Sequence, residues 1–295
     1  MEVKKRKRQR TKEMEEDRLS ELPDCLLHHI FSFADTADVV RTCVLSKRWS
    51  YFWISVPSLN FNFKNFCSVI SSKKSSFINF IHQVLLRRNS VPVHSFHYTS
   101  SVDVKVSVLQ SWICYAVSHQ VQHLTIEAAG LTMPFQFPNY FSGCASLTTL
   151  KLSSSLYGSM KLPKTLELSS LKHLYLARIQ YCDGSILNFM VNSVYCNNFE
   201  FVIVAPKLMK FKFDGYPPKL FSPKNLSSLD QIEIDMPSSK KLDCYEHADM
   251  IKQEYALQML QMLDACHFAK TITLSMNVIQ IDSYSSMIFI EFISM

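Results

Sequence analysis

The chain has 295 residues, of which 47% are hydrophobic and 19% are charged. That length suffices for one or two domains with a sizeable core, and that composition excludes disorder over most of the chain. The formal net charge is +6, but much of the positive charge lies in the first dozen residues, so it does not predict a nucleic-acid-binding surface on the folded part.

Residues 1–16 form a charged tail. Residues 4–8 are a dense basic run, and the acidic side chains within residues 13–17 partly offset it. Such runs are usually solvated, and some act as nuclear-import signals. We therefore expect a flexible tail and leave both roles open.

The cysteines and the apolar segments indicate the compartment. Nine cysteines occur singly, with no C-x-x-C pair, which favours a reducing compartment over a secreted disulfide framework. No stretch reaches the roughly 20 apolar residues that a membrane-spanning helix needs. We expect an intracellular protein, in the nucleus, the cytoplasm or both, with no membrane partner.

Residues 17–60 predict three short helices. Pro23 suits the first turn of a helix, where its missing N–H removes no hydrogen bond. Asp35 and Ser46 are suitable N-caps for the second and third helices, and Pro57 ends the third. So small a unit cannot bury all of its apolar residues, so several must contact either the next domain or a partner.

Short elements in this region resemble the F-box of the plant F-box/leucine-rich-repeat (RNI-like) family. They are Leu-Pro-Asp at 22–24, Ile30, and Leu-Ser-Lys-Arg-Trp at 45–49. The resemblance implies docking onto a Skp-type adaptor and, through it, a cullin. The residues that it implies as facing the adaptor, or as supporting that face, are Leu22, Pro23, Ile30, Leu45 and Trp49. A buried core role is the alternative, and it is strongest for Ile30 and Trp49.

After a linker and connecting helix at residues 61–90, the chain repeats an apolar-x-x-apolar-x-apolar template. Its copies begin at Val93, Val121, Leu147, Leu171, Cys196, Leu208, Leu229 and Ala269. Most of the spacings are near the roughly 20–29 residues of leucine-rich repeats. The last two apolar positions of each copy alternate with polar residues, as in half-buried strands that stack to share one core. The 12-residue step before Leu208 leaves no room for a helix, whereas residues 250–266 predict one.

The fold class predicted is α+β: a three-helix F-box followed by an irregular leucine-rich-repeat solenoid over residues 91–295. A β-sandwich would need a turn every ~8–12 residues, and the chain has only five glycines. Many proteins of the family that it resembles continue beyond the point that matches Met295. We therefore expect the last repeat to lack a regular cap.

If the apolar positions point inward, the flanking positions form the exposed face of the stacked strands. These positions are Ser95, His97, His123, Thr125, Glu127, Thr149, Lys151, His173, Tyr175, Asn198, Glu200, Lys210, Lys212, Gln231 and Glu233. Tyrosine is enriched at protein interfaces, and lysines attract acidic partners. The predicted substrate face is therefore Lys151, His173, Tyr175, Lys210 and Lys212. An ordinary solvated strand face is the alternative.

Motifs for catalysis are missing from the sequence. It has no phosphate-binding glycine loop and no G-x-S-x-G turn. The pairs His94/His97, His119/His123 and Cys244/His247 have spacings that a metal could use, but none has the second pair that structural zinc requires. We expect no enzyme, no cofactor and no metal.

The leading function is therefore a substrate-recognition adaptor of an SCF-type ubiquitin ligase, which binds an unknown protein substrate through the repeats. The alternative is a non-catalytic repeat scaffold whose F-box-like module no longer engages a ligase. A basic-tailed nucleic-acid binder and a lone-cysteine or hydrolytic enzyme are weaker alternatives. Neither is supported by a motif in the folded region.

Overall fold

The computed structural model describes residues 21–69, 74–88, 90–129, 135–138, 141, 143–154, 160–179, 200–215, 217–218, 220–235 and 248–275. The basic tail, Cys196, Asn198 and the Cys244/His247 pair lie outside the described residues. Across these ranges, no helix combines the length and the apolar character that crossing a membrane requires.

The described chain opens with two α-helices, α1 (Asp24–Phe31) and α2 (Thr36–Arg41). They are followed by 3-10 helices at Thr42–Val44 and Phe52–Ser55. The third predicted helix is not an α-helix, because residues 47–51 form turns and only Phe52–Ser55 are helical, as a 3-10 helix. In this segment the Arg48 guanidinium donates to the Leu22 carbonyl at 2.7 Å and pairs with Asp24, which joins the turns to the start of α1.

Eight parallel strands form the main sheet in chain order. They are β1 (Ser58–Asn62), β2 (Ser95–Ser100), β3 (His123–Ala128), β5 (Thr149–Ser154), β8 (His173–Ala177), β10 (Lys210–Asp214), β12 (Gln231–Asp235) and β13 (Thr271–Leu274). Parallel neighbours require crossover connections, and the remaining elements provide them.

In the parts of the chain that the structure describes, the crossovers contain four helices and two small sheets. The helices are α3 (Phe63–Val69), α4 (Lys74–Arg87), α5 (Val106–Ser118) and α6 (Ala248–Asp264). A three-stranded parallel sheet consists of β7 (Thr165–Glu167), β9 (Glu200–Val204) and β11 (Leu220–Lys224), and a two-stranded sheet of β4 (Phe135–Gln136) and β6 (Met160–Lys161). The predicted helix at residues 250–266 is thus confirmed within two residues at each end.

The core lies between the main sheet and these crossovers. Leu150 and Leu152 on β5 are fully buried, as are Phe211 on β10 and Trp112 on α5. Phe211 stacks on Phe221 of β11 at a ring-centroid distance of 5.9 Å, which joins the main sheet to the three-stranded sheet. Apolar burial of this kind is the main favourable term in folding.

The template is confirmed for the six copies that begin at Val93, Val121, Leu147, Leu171, Leu208 and Leu229, because all their apolar positions are buried. In the copies that begin at Leu147, Leu171, Leu208 and Leu229, the first position closes a tight turn that leads into the strand. The N–H of Leu171 donates to the carbonyl of Leu168 at 3.2 Å, and Leu208 and Leu229 repeat this contact with the residues three before them. The copy at Ala269 holds only in part, since Ile272 on the edge strand is 38% exposed.

Two strands differ from the prediction. β1 was not predicted, although Val56, Leu59 and Phe61 fit the template and are buried. The copy at Cys196 leads into β9, which belongs to the three-stranded sheet, so the placement of Glu200 on the main-sheet face is wrong. Only five residues separate β9 from β10, too few for a crossover between parallel strands of one sheet.

Candidate functional site: an apolar helical patch and a polar sheet face

Helix α1 has two apolar faces. Leu27 and Phe31 are buried in a small core of six residues that α1, α2 and the following turns share. Leu26, Ile30 and Phe33 follow at i, i+4 and i+7 spacing and are 49%, 44% and 77% exposed. Leu26 and Ile30 share one side of α1, and Phe33 lies in the turn directly after the helix, so that all three side chains are in solvent.

A second exposed pair lies after α2. Val44 and Leu45 are 83% and 69% exposed. The contacts of Arg48 with Leu22 and Asp24 hold the start of α1 against the segment that follows Leu45. The two sequence elements that resemble an F-box, at residues 22–24 and 45–49, are therefore neighbours in space.

The five residues implied as adaptor-binding differ in exposure. Pro23, Ile30 and Leu45 are exposed, and Leu22 is half-buried against the small core. Trp49 is buried and packs edge-on against Phe31, with ring centroids 5.6 Å apart. The core role considered for Ile30 is therefore wrong, whereas for Trp49 it is what the structure shows.

We call Leu26, Ile30, Phe33, Val44 and Leu45 the apolar patch. Together with Tyr51 they are half of the large apolar side chains exposed in the described parts of the chain. Concentrated apolar exposure of this kind is typical of a protein–protein interface. Phe33 and Val44 were recognised as apolar positions of the predicted helices but were not among the residues predicted to contact a partner.

The predicted substrate face lies on three adjacent strands of the main sheet. Lys151, Tyr175 and Lys212 are register neighbours on β5, β8 and β10. His173 and Lys210 are register neighbours two residues nearer the amino ends of β8 and β10. The structure therefore brings all five residues into one patch.

Ion pairs neutralise two of these lysines. Lys151 Nζ lies 2.6 Å from Glu127 Oε1, and Lys212 Nζ lies 3.0 Å from Glu233 Oε2. Burial raises the pKa of Glu127, but the Lys151 ammonium more than offsets this and holds it below its ordinary value. Half-exposed pairs of this kind add at most about 1 kcal/mol to stability, yet they remove net charge from the centre of the face.

Burial lowers the pKa of three histidines on the same face, His97, His123 and His173, which favours their neutral forms. Burial lowers the pKa of His97, which lies 3.0 Å from Thr99 Oγ1, and Glu127 only partly opposes this. Burial also lowers the pKa of His123, and the neighbouring His94 and His173 lower it further. Within the described ranges, no three His, Cys, Asp or Glu side chains are grouped so as to hold a metal.

A groove lies at the carboxyl ends of the first main-sheet strands. It is an open depression of about 570 Å³, lined by hydroxyls of Ser100 and Ser153, by Glu127 and by the cations Lys64 and Arg178. Arg178 already contacts Asp214 at 3.9 Å, and Glu127 is paired as described above. The groove therefore has little unbalanced charge with which to select a ligand.

Residues 19–61 match the model of the F-box domain. An FBD-associated F-box protein of Arabidopsis thaliana is 29% identical over 274 residues, covering 87% of this chain and 63% of the relative. F-box/LRR-repeat protein 25 of the same plant is 32% identical over 59% of this chain and 63% of its own length. An F-box/FBD/LRR-repeat protein is 27% identical over 79% of this chain and 53% of its own.

The chain therefore carries an F-box domain and is similar to plant F-box/leucine-rich-repeat proteins. The apolar patch of this F-box protein lies inside the matched residues 19–61. Its matches span between about one third and two thirds of the relatives' lengths. No solved structure was found to match it. F-box domains are in general adaptor-binding modules, and the proteins of this family are generally non-catalytic.

Proposed function

We propose that this F-box protein is the substrate-recognition subunit of an SCF-type ubiquitin ligase. Its F-box binds a Skp-type adaptor and, through it, a cullin, while its main sheet binds a protein substrate. The observation that carries the proposal is the apolar patch within the matched F-box, where five large side chains are 44–83% exposed. Apolar anchors of this size supply most of the affinity of protein interfaces.

The adaptor-binding surface combines the apolar patch with its support. Ile30 and Leu45 are direct contacts, and Pro23 lies beside them in solvent. Leu22 and Trp49 support these contact residues from the interior, since both pack in the small core. Arg48 fixes the two halves of the surface through the Leu22 carbonyl and Asp24.

We infer that the main sheet is the inner surface of an irregular leucine-rich-repeat solenoid. Its strands begin at residues 58, 95, 123, 149, 173, 210, 231 and 271, so each returns to the sheet after 21 to 40 residues. Strands in chain order, each followed by an outer segment, are typical of solenoids, whose strand faces commonly bind partners. The substrate face proposed is Lys151, His173, Tyr175, Lys210 and Lys212.

The subunit contributes affinity and geometry, and other subunits contribute the transfer chemistry. It needs no cofactor for this role. Its compartment in the proposal is the nucleus, the cytoplasm or both, as the basic run at residues 4–8 and the single cysteines suggest.

Affinity purification of the full chain from plant cells, with and without a proteasome inhibitor, tests the proposal. We expect the wild type to retain a Skp-type adaptor and a cullin, and to accumulate a further protein under inhibition. Ile30→Ala with Leu45→Ala should lose the adaptor and the cullin, whereas the control Leu86→Ala with Leu220→Ala, exposed outside the F-box, should keep them. A wild type that retains partners but no adaptor would make the chain a repeat scaffold instead.

A further inference from the structure

Charge is unevenly distributed along the strands of the main sheet. Three acidic side chains, Glu127, Asp214 and Asp235, lie toward the carboxyl ends of their strands. Lys210 begins β10, and Lys172 comes directly before β8 at the amino-terminal edge. Because the strands are parallel, all their amino ends lie at one edge of the sheet and all their carboxyl ends at the other. Lys172 and Lys210 therefore lie at the same edge.

Lys172 and Lys210 differ from the other lysines of the face in their pairing. Lys151 pairs with Glu127 and Lys212 with Glu233, but Lys172 and Lys210 form no ion pair with any described residue. Their charge is therefore available to a partner, and no existing contact must be broken when one binds.

The backbone holds these two lysines together. The Lys172 carbonyl accepts hydrogen bonds from the N–H of Met209 at 2.8 Å and from the N–H of Lys210 at 3.0 Å. His173 is the register partner of Lys210. Met209 lies beside Lys172 at the same edge and is 42% exposed. We call Lys172, His173, Met209 and Lys210 the basic edge.

We propose that the basic edge is the docking site for an acidic segment of a protein substrate, with carboxylates on Lys172 and Lys210 and an apolar side chain against Met209. This rests on the proposed function, because it states the chemistry that the substrate-binding sheet selects. The charge that carries selectivity lies at the amino-terminal edge of the face, while Lys151 and Lys212 contribute contact area around it.

The surroundings limit the size and kind of this partner. Asp230, next to Met209 at the same edge, pairs with Lys270 at 2.7 Å, and Glu233 lies on the adjacent strand. Among the four lysines of this face, the positive charge left without a described ion pair therefore lies on Lys172 and Lys210, at the amino-terminal edge of β8 and β10. A nucleic acid backbone would need a longer run of cations to gain affinity by neutralising several phosphates. A short acidic peptide segment fits the observed extent.

The test is binding of a fluorescein-labelled oligoglutamate peptide, followed by anisotropy, to the full chain. An oligoglutamine peptide of equal length is the uncharged probe. Lys172→Glu with Lys210→Glu should weaken oligoglutamate binding by about tenfold or more, because like charges then face each other. The matched control, Lys164→Glu with Lys224→Glu, makes the same change in net charge at exposed lysines near the ends of β7 and β11 and should bind as the wild type does.

Equal losses in the two double variants would mean that only net charge matters, and they would overturn the proposal. Equal binding of oligoglutamine would overturn it as well, as would a wild type that does not bind oligoglutamate. Adaptor binding is measured on the same proteins. A chain that binds oligoglutamate at the basic edge but binds no Skp-type adaptor keeps the acidic-segment site and contradicts only the ligase function.

Discussion

The side-chain hydroxyl of Thr36 accepts a hydrogen bond from the backbone N–H of Asn60 at 2.8 Å. Thr36 is the first residue of α2 and is buried, and Asn60 is the middle residue of β1, the edge strand of the main sheet. Edge strands with unpaired backbone groups invite aggregation, so the F-box protects the sheet here. Ala37 and Val40, on the same helix, pack against the main core.

Two further hydrogen bonds cross this junction between the F-box and the sheet. Asn65 Nδ2 of α3 donates to Asp35 Oδ2 at 2.6 Å, and the buried Arg88 guanidinium donates to the Val56 carbonyl at 2.5 Å. These hydrogen bonds and the packing of Ala37 and Val40 join the F-box to the sheet. In the proposed ligase subunit, this fixes the position of the basic edge relative to the adaptor.

Thr36→Val keeps the shape of the side chain and removes the acceptor. It should destabilise the protein by about 1–3 kcal/mol in urea unfolding, because the Asn60 N–H is left without a partner. Amide hydrogen exchange should speed up at Asn60 in particular. Thr273→Val, at an exposed position of the opposite edge strand, is the control. Unchanged exchange at Asn60 would show that the F-box does not cap the sheet.

Neighbouring residues of β5 test the strand register. Leu150→Ala should lower the free energy of unfolding by about 2–5 kcal/mol, since Leu150 is fully buried and the change leaves a cavity. Lys151→Ala should lower it by at most about 1 kcal/mol, the value of its half-exposed ion pair with Glu127. Similar losses in the two variants would mean that the strand faces are assigned incorrectly.

Stability should fall on acidification because of His97. Burial lowers the pKa of His97 in the folded chain below its ordinary value of about 6.5. Below about pH 6.5 the unfolded chain binds this proton more tightly than the folded chain does. The free energy of unfolding therefore decreases as the pH falls below about 6.5 and is highest above that pH. Melting temperatures of His97→Gln should depend less on pH than those of the wild type. His267→Gln, exposed outside the sheet, should keep the full dependence.

Acidic-segment binding should strengthen on acidification because of His173. Burial lowers the pKa of His173, and the charges of Lys210 and Lys172 lower it further. His123, whose pKa His173 lowers in part, is a further titratable neighbour on this face. A bound carboxylate favours the imidazolium, so binding takes up a proton and tightens as the pH falls below about 6.5. His173→Gln should remove most of this dependence in the oligoglutamate assay. An unaltered dependence would place the titrating group elsewhere.

The strand pattern was predictable because it is local. Inward and outward residues alternate along one strand, as Leu150 and Lys151 do, and no distant contact is needed to see this. The form of the third helix was not predictable. Ser46 does cap the segment, since its hydroxyl accepts from the Trp49 N–H at 3.2 Å, but turns and a 3-10 helix follow, and Arg48 contacts Leu22 across the chain. Tertiary contacts override local preference at such points.

The charged part of the site was only partly predictable. Lys210 was chosen from its type and position, but Lys172 and Met209 lie just before their strands and outside the alternating pattern. Which lysines are neutralised depends on residues far along the chain, such as Glu127, which pairs with Lys151. Only the register of neighbouring strands shows which lysines have an acidic partner and which keep an unpaired positive charge.

Titration of the purified full chain with a purified Skp-type adaptor, followed by calorimetry, tests the central claim most directly. We expect saturable one-to-one binding that Ile30→Ala with Leu45→Ala weakens by about 30-fold or more, since truncating a buried anchor commonly removes about 2 kcal/mol. Met209→Ala with Leu220→Ala, which changes exposed apolar residues outside the F-box, should leave the affinity unchanged. No heat of binding by the wild type, or equal affinity in the F-box variant, would contradict the assignment of the apolar patch as the adaptor-binding surface.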